Sequence, residues 1–219
     1  MIPDPPLLVI TDRGQARAPL PEIAEALFQA GVRWLMLREK DLDPAARRDL
    51  LRDLVACGEP FGATVTVNGD VGAARATGAA GVHLPAGGDI EAVRRALGPG
   101  ALIGASCHGF EEAAAAAVAG ADYITLSPVF ESASKPGYGP ALGSAGLGAM
   151  VARLAIPVVA LGGIAAGNAA ACLRAGAAGV AVMGAIMAVA DPGAAARELL
   201  ASLDAENAVP GVASGQILS

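Results

Sequence analysis

The sequence has few charged residues, few aromatic residues and few cysteines, and each shortage excludes a class of protein. Charged residues make up 16% of the 219 residues, aromatic residues make up 3%, and the formal net charge is −6. We therefore do not expect a nucleic-acid partner, because that requires basic patches and stacking rings. The three cysteines are scattered and odd in number, which favours reduced thiols over a disulfide framework. CxxC and HExxH motifs are also missing, so no structural zinc site is expected.

Long apolar runs are absent too, although 54% of the residues are hydrophobic. Glycine, proline or a charged residue interrupts every candidate before it reaches the ~20 residues that span a bilayer. The first residues, MIPDPP, lack the basic stretch and apolar core of a secretory signal. We therefore expect a cytoplasmic protein with no membrane partner and a small-molecule ligand.

What the sequence does contain is a regular alternation of short apolar runs with helical patterns. Eight runs are predicted as strands: Leu7–Thr11, Val32–Leu37, Ala63–Val67, Gly81–Leu84, Ala101–Ala105, Ala121–Leu126, Ile156–Leu161 and Gly179–Val182. Eight helices are predicted after them: Pro21–Ala30, Pro44–Cys57, Val71–Thr77, Ile90–Leu97, Glu111–Ala119, Leu147–Leu154, Ala166–Ala175 and Gly193–Leu203. This alternation predicts a single-domain α/β fold, a (β/α)8 TIM barrel over residues 1–204. Residues 205–219 are predicted to form a flexible tail.

An internal repeat supports the barrel. A glycine follows the helix before every even-numbered strand, at Gly31, Gly78, Gly120 and Gly176. Glycine at this position favours the left-handed conformation that ends a helix, and four copies of a two-strand unit fit a barrel built of quarters. Glycine also ends helices in other α/β folds, so a doubly wound open sheet is the alternative. No GxGxxG motif follows the first strand to support that alternative.

The last two predicted strands both end in glycine-containing pairs, Gly162–Gly163 and Met183–Gly184. In a (β/α)8 barrel, the loops after strands seven and eight commonly form a phosphate site. Backbone N–H groups exposed there suit an anion. We therefore predict a phosphate-binding site at these two strand ends.

Cationic and hydroxyl side chains follow other strands at the same end of the barrel. Arg38 and Lys40 share one side of an extended segment and suit a phosphate or diphosphate. The alternative is that Arg38 pairs with a carboxylate of a neighbouring strand. The loop after strand six offers Ser132, Ser134 and Lys135, which could close over an anion or could simply form a solvated loop.

The chain has two histidines, and both follow or end a predicted strand. His83 lies within an apolar run and is expected to be a hydrogen-bonded histidine near the core. His108 lies beyond its strand and is the better candidate for general acid–base catalysis.

Several stretches together resemble one family. They are VITDR, LREKD, GVHL, GASCH, SPVFESASKPG, IPVVALGGI and GAAGVAVMGAI. In this order they resemble the thiamin phosphate synthase family, which includes the TenI-type thiazole tautomerase, over about residues 7–190. The resemblance implies a (β/α)8 barrel. For the synthase it implies a magnesium-dependent coupling of hydroxymethylpyrimidine diphosphate to a thiazole phosphate, with release of diphosphate.

The resemblance also implies roles for individual residues. Those that match the family's diphosphate and pyrimidine contacts are Arg38, Lys40, Asn68, Ser106 and Lys135. Ser132 and Ser134 stand where the synthase usually has two threonines. Gly163 and Gly184 match backbone contacts to the thiazole phosphate.

The chain departs from the synthase pattern at three further positions. Met36 replaces a glutamine, and Gly69 and Gly88 replace the two magnesium-binding aspartates. Asp70 and Asp89 each lie one residue further on, which makes them weak candidates for metal ligands.

The tautomerase reaction needs no metal, but the histidine of that pattern is also replaced, here by Pro128. His108 or Lys135 could take over the proton transfer.

Three hypotheses follow for the function. The lead hypothesis is a TenI-like enzyme that binds a thiazole phosphate and requires no metal cofactor. The second is a working synthase with a rearranged magnesium site, and the third is a binder of thiazole or thiamin phosphate without catalysis. Sugar-phosphate isomerases share the fold class but do not explain LREK together with SASK. A homodimer is compatible with each hypothesis.

Overall fold

The computed structural model describes residues 1–131 and 140–207. All eight predicted strands are present, each within two residues of its predicted bounds. They are β1 (Leu7–Ile10), β2 (Trp34–Leu37), β3 (Thr64–Asn68), β4 (Gly81–Leu84), β5 (Leu102–Cys107), β6 (Tyr123–Leu126), β7 (Val158–Leu161) and β8 (Gly179–Val182).

The strands form one closed parallel barrel. Each strand pairs with its neighbour in sequence, and β8 pairs with β1 through the register Leu8 to Ala181. Closure confirms the predicted (β/α)8 barrel and excludes the open sheet, because an open sheet would leave two edge strands unpaired.

The helices cover the outside of the barrel. They are α1 (Leu20–Gln29), α2 (Pro44–Gly58), α3 (Val71–Thr77), α4 (Ile90–Leu97), α5 (Phe110–Val118), α6 (Gly143–Val151), α7 (Ala166–Arg174), α8 (Gly184–Met187) and α9 (Pro192–Asn207). The sequence did not predict α8, because four residues are too short for a helical period. It also placed the start of α6 too late, because the first turn of this helix contains two glycines and a serine, which resemble a loop.

The repeated glycines behave as predicted. Gly31, Gly78, Gly120 and Gly176 have φ values of 105°, 73°, 86° and 92°. Each therefore turns the chain out of its helix and into the following strand in a conformation that strains other residues.

Two layers of apolar side chains hold the barrel together. The larger layer lies between the strands and the helices, and the smaller one fills the barrel interior. In the interior, Trp34 and Tyr123 pack edge to face with ring centroids 4.8 Å apart. Met36 belongs to this interior layer and is 2% exposed, so the barrel is filled below its mouth.

The cysteines and the helix lengths agree with two expectations from the sequence, reduced thiols and no membrane-spanning segment. Cys57, Cys107 and Cys172 are free thiols, as expected from their scattered positions. Across residues 1–131 and 140–207, no helix combines the length and the apolar character needed to cross a membrane.

Gly104 in β5 makes room for two rings inside the barrel, and this generates a stability prediction. A Cβ atom at this position would lie 2.5 Å from His83 Nδ1 and even closer to the ring of Tyr123. Because both rings are buried, we expect Gly104→Ala to lower the free energy of unfolding by about 1–3 kcal/mol, measured by urea denaturation.

The matched control is Gly72→Ala in α3. A Cβ atom there would meet only Asp70 Oδ1 at 3.6 Å, and alanine has the higher helix propensity. We expect stability to be unchanged or slightly raised in this variant. Equal stability of the two variants would show that the rings do not occupy the space beside Gly104.

Candidate functional site

The carboxyl ends of all eight strands meet at one rim of the barrel, as parallel closure requires. Hydrogen bonds link neighbouring strand ends around much of this rim. Asn68 Nδ2 at the end of β3 donates to the His83 carbonyl of β4 at 3.2 Å. The Phe130 amide, after β6, donates to the Gly162 carbonyl after β7 at 3.0 Å. The predicted site residues on the described strand ends therefore belong to one continuous surface.

A buried carboxylate joins the ends of β1 and β2. Glu39 is 4% exposed; it accepts a hydrogen bond from Thr11 Oγ1 at 2.7 Å and bonds from the Arg13 amide at 3.1 and 3.2 Å. Thr11 Oγ1 in turn accepts from the Arg38 amide at 2.9 Å. Glu39 thus fixes the backbone that carries Arg38 and Lys40.

Sequence reasoning gave Glu39 no role. The available signal was an acidic residue between two cations directly after a buried strand, opposite the polar end of β1.

Arg38 and Lys40 flank Glu39 along the chain, so their side chains leave the backbone on the side opposite to it. Arg38 is half-buried and Lys40 is exposed. Within the described part of the chain, no carboxylate lies within 4.0 Å of either cation. The alternative that Arg38 pairs with a carboxylate of a neighbouring strand is therefore wrong for these residues.

His83 lies inside the barrel just below the rim and is 2% exposed. Its Nδ1 lies 3.0 Å from Tyr123 Oη, and its Nε2 lies 3.0 Å from Ser106 Oγ and 3.2 Å from Thr125 Oγ1. The expectation of a hydrogen-bonded, near-core histidine is confirmed. Burial lowers the pKa of His83 to about 4, so the imidazole is neutral at neutral pH.

Sequence reasoning did not identify Tyr123 and Thr125 as partners of this histidine. Tyr123 and Thr125 occupy alternate positions of β6 and therefore face the same side of the strand. This spacing is the one sequence feature that could have suggested a shared partner. Burial raises the pKa of Tyr123 far above its ordinary value, so its phenol keeps its proton. Ser106, a predicted substrate contact, is half-buried at the top of this group.

His108 lies on the exposed part of the rim between β5 and β6. Its Nδ1 donates to the Ser127 carbonyl at 2.9 Å, and its backbone amide donates to Glu112 Oε2 at 2.7 Å. These bonds fix both the backbone and the ring of His108 at the mouth. Its role in proton transfer stays a prediction.

The glycines after β7 have a structural reason as well as a predicted functional one. Gly163 has φ 63°, and a Cβ atom there would lie 2.8 Å from Phe130 Cβ. Asn168 Nδ2 donates to the Gly163 carbonyl at 2.9 Å, which orients this peptide. For residues 1–131 and 140–207, the amides of Gly163, Met183 and Gly184 have no protein acceptor. These amides fit the predicted phosphate site, whose occupancy stays a prediction.

The two candidate metal ligands serve other purposes. Asp70 accepts from the Ala73 amide at 2.8 Å and pairs with Arg47 at 3.5 Å, and Asp89 accepts from the Ala92 amide at 2.8 Å. Both aspartates are helix N-caps.

Gly88 stands where the family has its second aspartate. This position has no room for a side chain, because a Cβ atom there would lie 2.9 Å from Leu84 Cβ. Among the described residues, no three histidine, cysteine or acidic side chains come together to hold a metal ion. The residues present do not fit a magnesium site of their own, since magnesium wants several oxygen ligands in octahedral order.

Three predicted site residues, Ser132, Ser134 and Lys135, lie outside the described residues. The predicted closure of their loop over an anionic ligand, and the predicted catalytic role of Lys135, stay predictions. The predicted flexible tail lies mostly outside them too, while α9 continues to Asn207, past its predicted end at Leu203.

Comparison with known proteins gives consistent matches over almost the whole chain. A family model described as thiamine monophosphate synthase matches residues 7–186. A putative thiamine-phosphate synthase of Geobacter sulfurreducens is 47% identical over 90% of this chain and 93% of its own length. The thiamine-phosphate synthase of Methanoculleus marisnigri is 42% identical over 88% of this chain and 92% of its own length.

A solved structure agrees with these sequence matches. Thiamine phosphate pyrophosphorylase from Pyrococcus furiosus superposes with a TM-score of 0.82 at 32% identity. The match covers 91% of this chain and 95% of that one.

The buried histidine predicts how stability depends on pH. The unfolded chain binds a proton at an ordinary histidine pKa near ~6.5, whereas folded His83 does so only at about 4. The unfolded state therefore holds more protons in this window, and stability falls as pH falls through it. We expect this single group to contribute a loss of about 3 kcal/mol across the window.

Urea denaturation at a series of pH values measures this dependence. His83→Gln should flatten the slope, while His108→Gln, which changes the exposed histidine, should keep it. An unchanged slope in His83→Gln would show that His83 is not kept neutral by burial.

Proposed function

The chain belongs to the thiamine monophosphate synthase family, and we propose that it is a working thiamine-phosphate synthase. The observation that carries the proposal is the near full-length match to relatives named as thiamine-phosphate synthases. This is the second of the three hypotheses drawn from the sequence. The substrates would be a pyrimidine diphosphate and a thiazole phosphate.

The comparisons favour this hypothesis over the TenI-like tautomerase that the departures at Met36, Gly69 and Gly88 had placed first. The matched relatives carry the synthase name, and the matched structure is a thiamine phosphate pyrophosphorylase. Met36 belongs to the apolar interior layer, so the pyrimidine would depend on neighbouring polar groups. Asn68 and Ser106 supply such groups on β3 and β5.

The rim offers two kinds of anion-binding group, on β2 and on β7 and β8, and only β1 lies between β2 and β8. The thiazole phosphate would bind the amides of Gly163, Met183 and Gly184, which are held at the ends of β7 and β8. The diphosphate would lie beside Arg38 and Lys40, whose side chains have no acidic partner among the described residues.

In the reaction, the bond between the pyrimidine's methylene carbon and the diphosphate oxygen breaks, and the diphosphate leaves with the electron pair. The methylene carbon forms its new bond to the thiazole nitrogen. Negative charge therefore grows on the diphosphate in the transition state. Arg38 and Lys40 would stabilise this charge, and Glu39 would keep them in place before the substrate arrives.

The family's magnesium requires a separate proposal, because Asp70 and Asp89 cap helices and do not assemble an octahedral site. We propose that this chain alone binds no divalent cation tightly at the mouth. If the reaction uses magnesium, the substrate would have to supply oxygen ligands that Asp70 and Asp89 do not.

The direct test of the proposal is formation of thiamine phosphate from the two substrates by the purified protein. Arg38→Ala should lower kcat/KM by about 10²–10³-fold, because it removes a charge that stabilises the leaving group. Arg95→Ala is the matched control, since among the described residues this exposed arginine of α4 forms its ion pair with Glu91 on the same helix, and it should leave the rate unchanged.

The same preparation separates the other hypotheses. Tautomerisation of the carboxylated thiazole phosphate without coupling would identify the TenI-like enzyme. Binding of thiazole phosphate with neither reaction would identify a non-catalytic binder. Either result would refute the synthase proposal.

The phosphate site is tested by binding of thiazole phosphate in calorimetry. Gly184→Asp should abolish the binding, because it adds a negative charge where the phosphate is proposed to lie. Gly167→Asp adds the same charge at an exposed position of α7 where a Cβ atom meets nothing within 4 Å, and it should bind normally. Unchanged affinity in Gly184→Asp would show that the thiazole phosphate does not bind at this position.

A further inference from the structure

Four polar side chains meet inside the barrel directly below the mouth. They are His83 at the centre, Tyr123 on its Nδ1 side, and Ser106 and Thr125 on its Nε2 side. His83, Tyr123 and Thr125 are at most 2% exposed, whereas Ser106 is half-buried and borders the mouth. This group therefore connects the barrel interior to the substrate side through one hydroxyl.

The protons of the group can be arranged in two ways. A neutral imidazole donates from one nitrogen and accepts at the other. If Nδ1 carries the proton, the buried Tyr123 hydroxyl proton has no acceptor among the described residues. If Nε2 carries it, Tyr123 donates to Nδ1. Among the described residues, the hydroxyl protons then without an acceptor are those of Thr125 and of Ser106, which borders the mouth.

The chemistry of the hydroxyls decides between these arrangements. A phenol, with an ordinary pKa near ~10, is a much stronger acid than an aliphatic alcohol. It is therefore the better donor and the poorer acceptor. In the favoured arrangement, the Tyr123 hydroxyl donates a hydrogen bond to His83 Nδ1, and His83 Nε2–H donates to an aliphatic hydroxyl. Ser106 Oγ, at 3.0 Å, is the nearer of the two acceptors.

We propose that His83 is a positioning residue that accepts from Tyr123 and donates to Ser106, so that the Ser106 hydroxyl must turn its own proton toward the mouth. Ser106 is thereby set as a donor. It selects a hydrogen-bond acceptor on the substrate, such as a ring nitrogen or a diphosphate oxygen of the pyrimidine diphosphate. This inference rests on the proposed function for the identity of that substrate.

The position of the imidazole proton is measurable without any activity. The chain has two histidines, so a nitrogen–proton NMR correlation spectrum of ¹⁵N-histidine-labelled protein shows two rings, and His108→Asn assigns them. At neutral pH, where the His83 ring is uncharged, we expect the proton on Nε2. A proton on Nδ1 would overturn the proposal, whether or not the protein is a synthase.

The consequence for the substrate is tested with Tyr123→Phe, which keeps the ring that packs on Trp34. It should raise the KM for the pyrimidine diphosphate roughly tenfold, as expected for one misdirected hydrogen bond. The KM for the thiazole phosphate should stay unchanged.

Ser106→Ala should have the same effect, and the double variant should lose no more than either single variant. Additive losses would show that Tyr123 does not act through Ser106. An unchanged KM in a folded Tyr123→Phe protein would show that the group is only structural. If the protein forms no thiamine phosphate at all, the synthase proposal fails while the NMR result still decides the proton position.

Discussion

Closure of eight short parallel strands into a barrel is the constraint on which the structure depends. Closure directs alternate side chains inward and brings every carboxyl strand end to one rim. In this chain the inward positions are mostly apolar around Trp34 and Tyr123, so the barrel interior is filled with packed side chains. A polar group that points inward above this packed layer needs hydrogen-bond partners from several strands. His83 does so on β5 and β6.

The same closure explains how short segments build one site. Hydrogen bonds join neighbouring strand ends, and each of these bonds fixes the position of a group at the rim. Thr11 and Glu39 fix the backbone of Arg38, and Asn168 orients the Gly163 peptide. Among the described residues, the rim therefore presents two cations after β2 and amides without a protein acceptor after β7 and β8, and only β1 lies between β2 and β8. Two phosphorylated substrates could lie side by side on this part of the rim.

Local patterns predicted the strands, the barrel and the helix-ending glycines, because burial and left-handed turns select residues within a few positions. The burial of His83 could also be predicted from its apolar run. Its partners could not, since Thr125 lies 42 residues away and is brought near only by closure. The lack of room at Gly88 has a local cause, because the turn after β4 brings it against Leu84, four residues earlier. The departures at Gly69 and Gly88 favoured a tautomerase from sequence, whereas the matched relatives carry the synthase name.

We propose that one rim binds both substrates, with the diphosphate at Arg38 and Lys40 and the thiazole phosphate at the glycine-ended strands. A crystal structure with magnesium, thiazole phosphate and an unreactive pyrimidine diphosphate analogue tests it most directly. We expect the analogue's diphosphate beside Arg38 and Lys40, with magnesium on the diphosphate oxygens. We expect the thiazole phosphate on the amides of Gly163 and Gly184. Magnesium held by both Asp70 and Asp89, or a diphosphate bound away from the two cations, would contradict it.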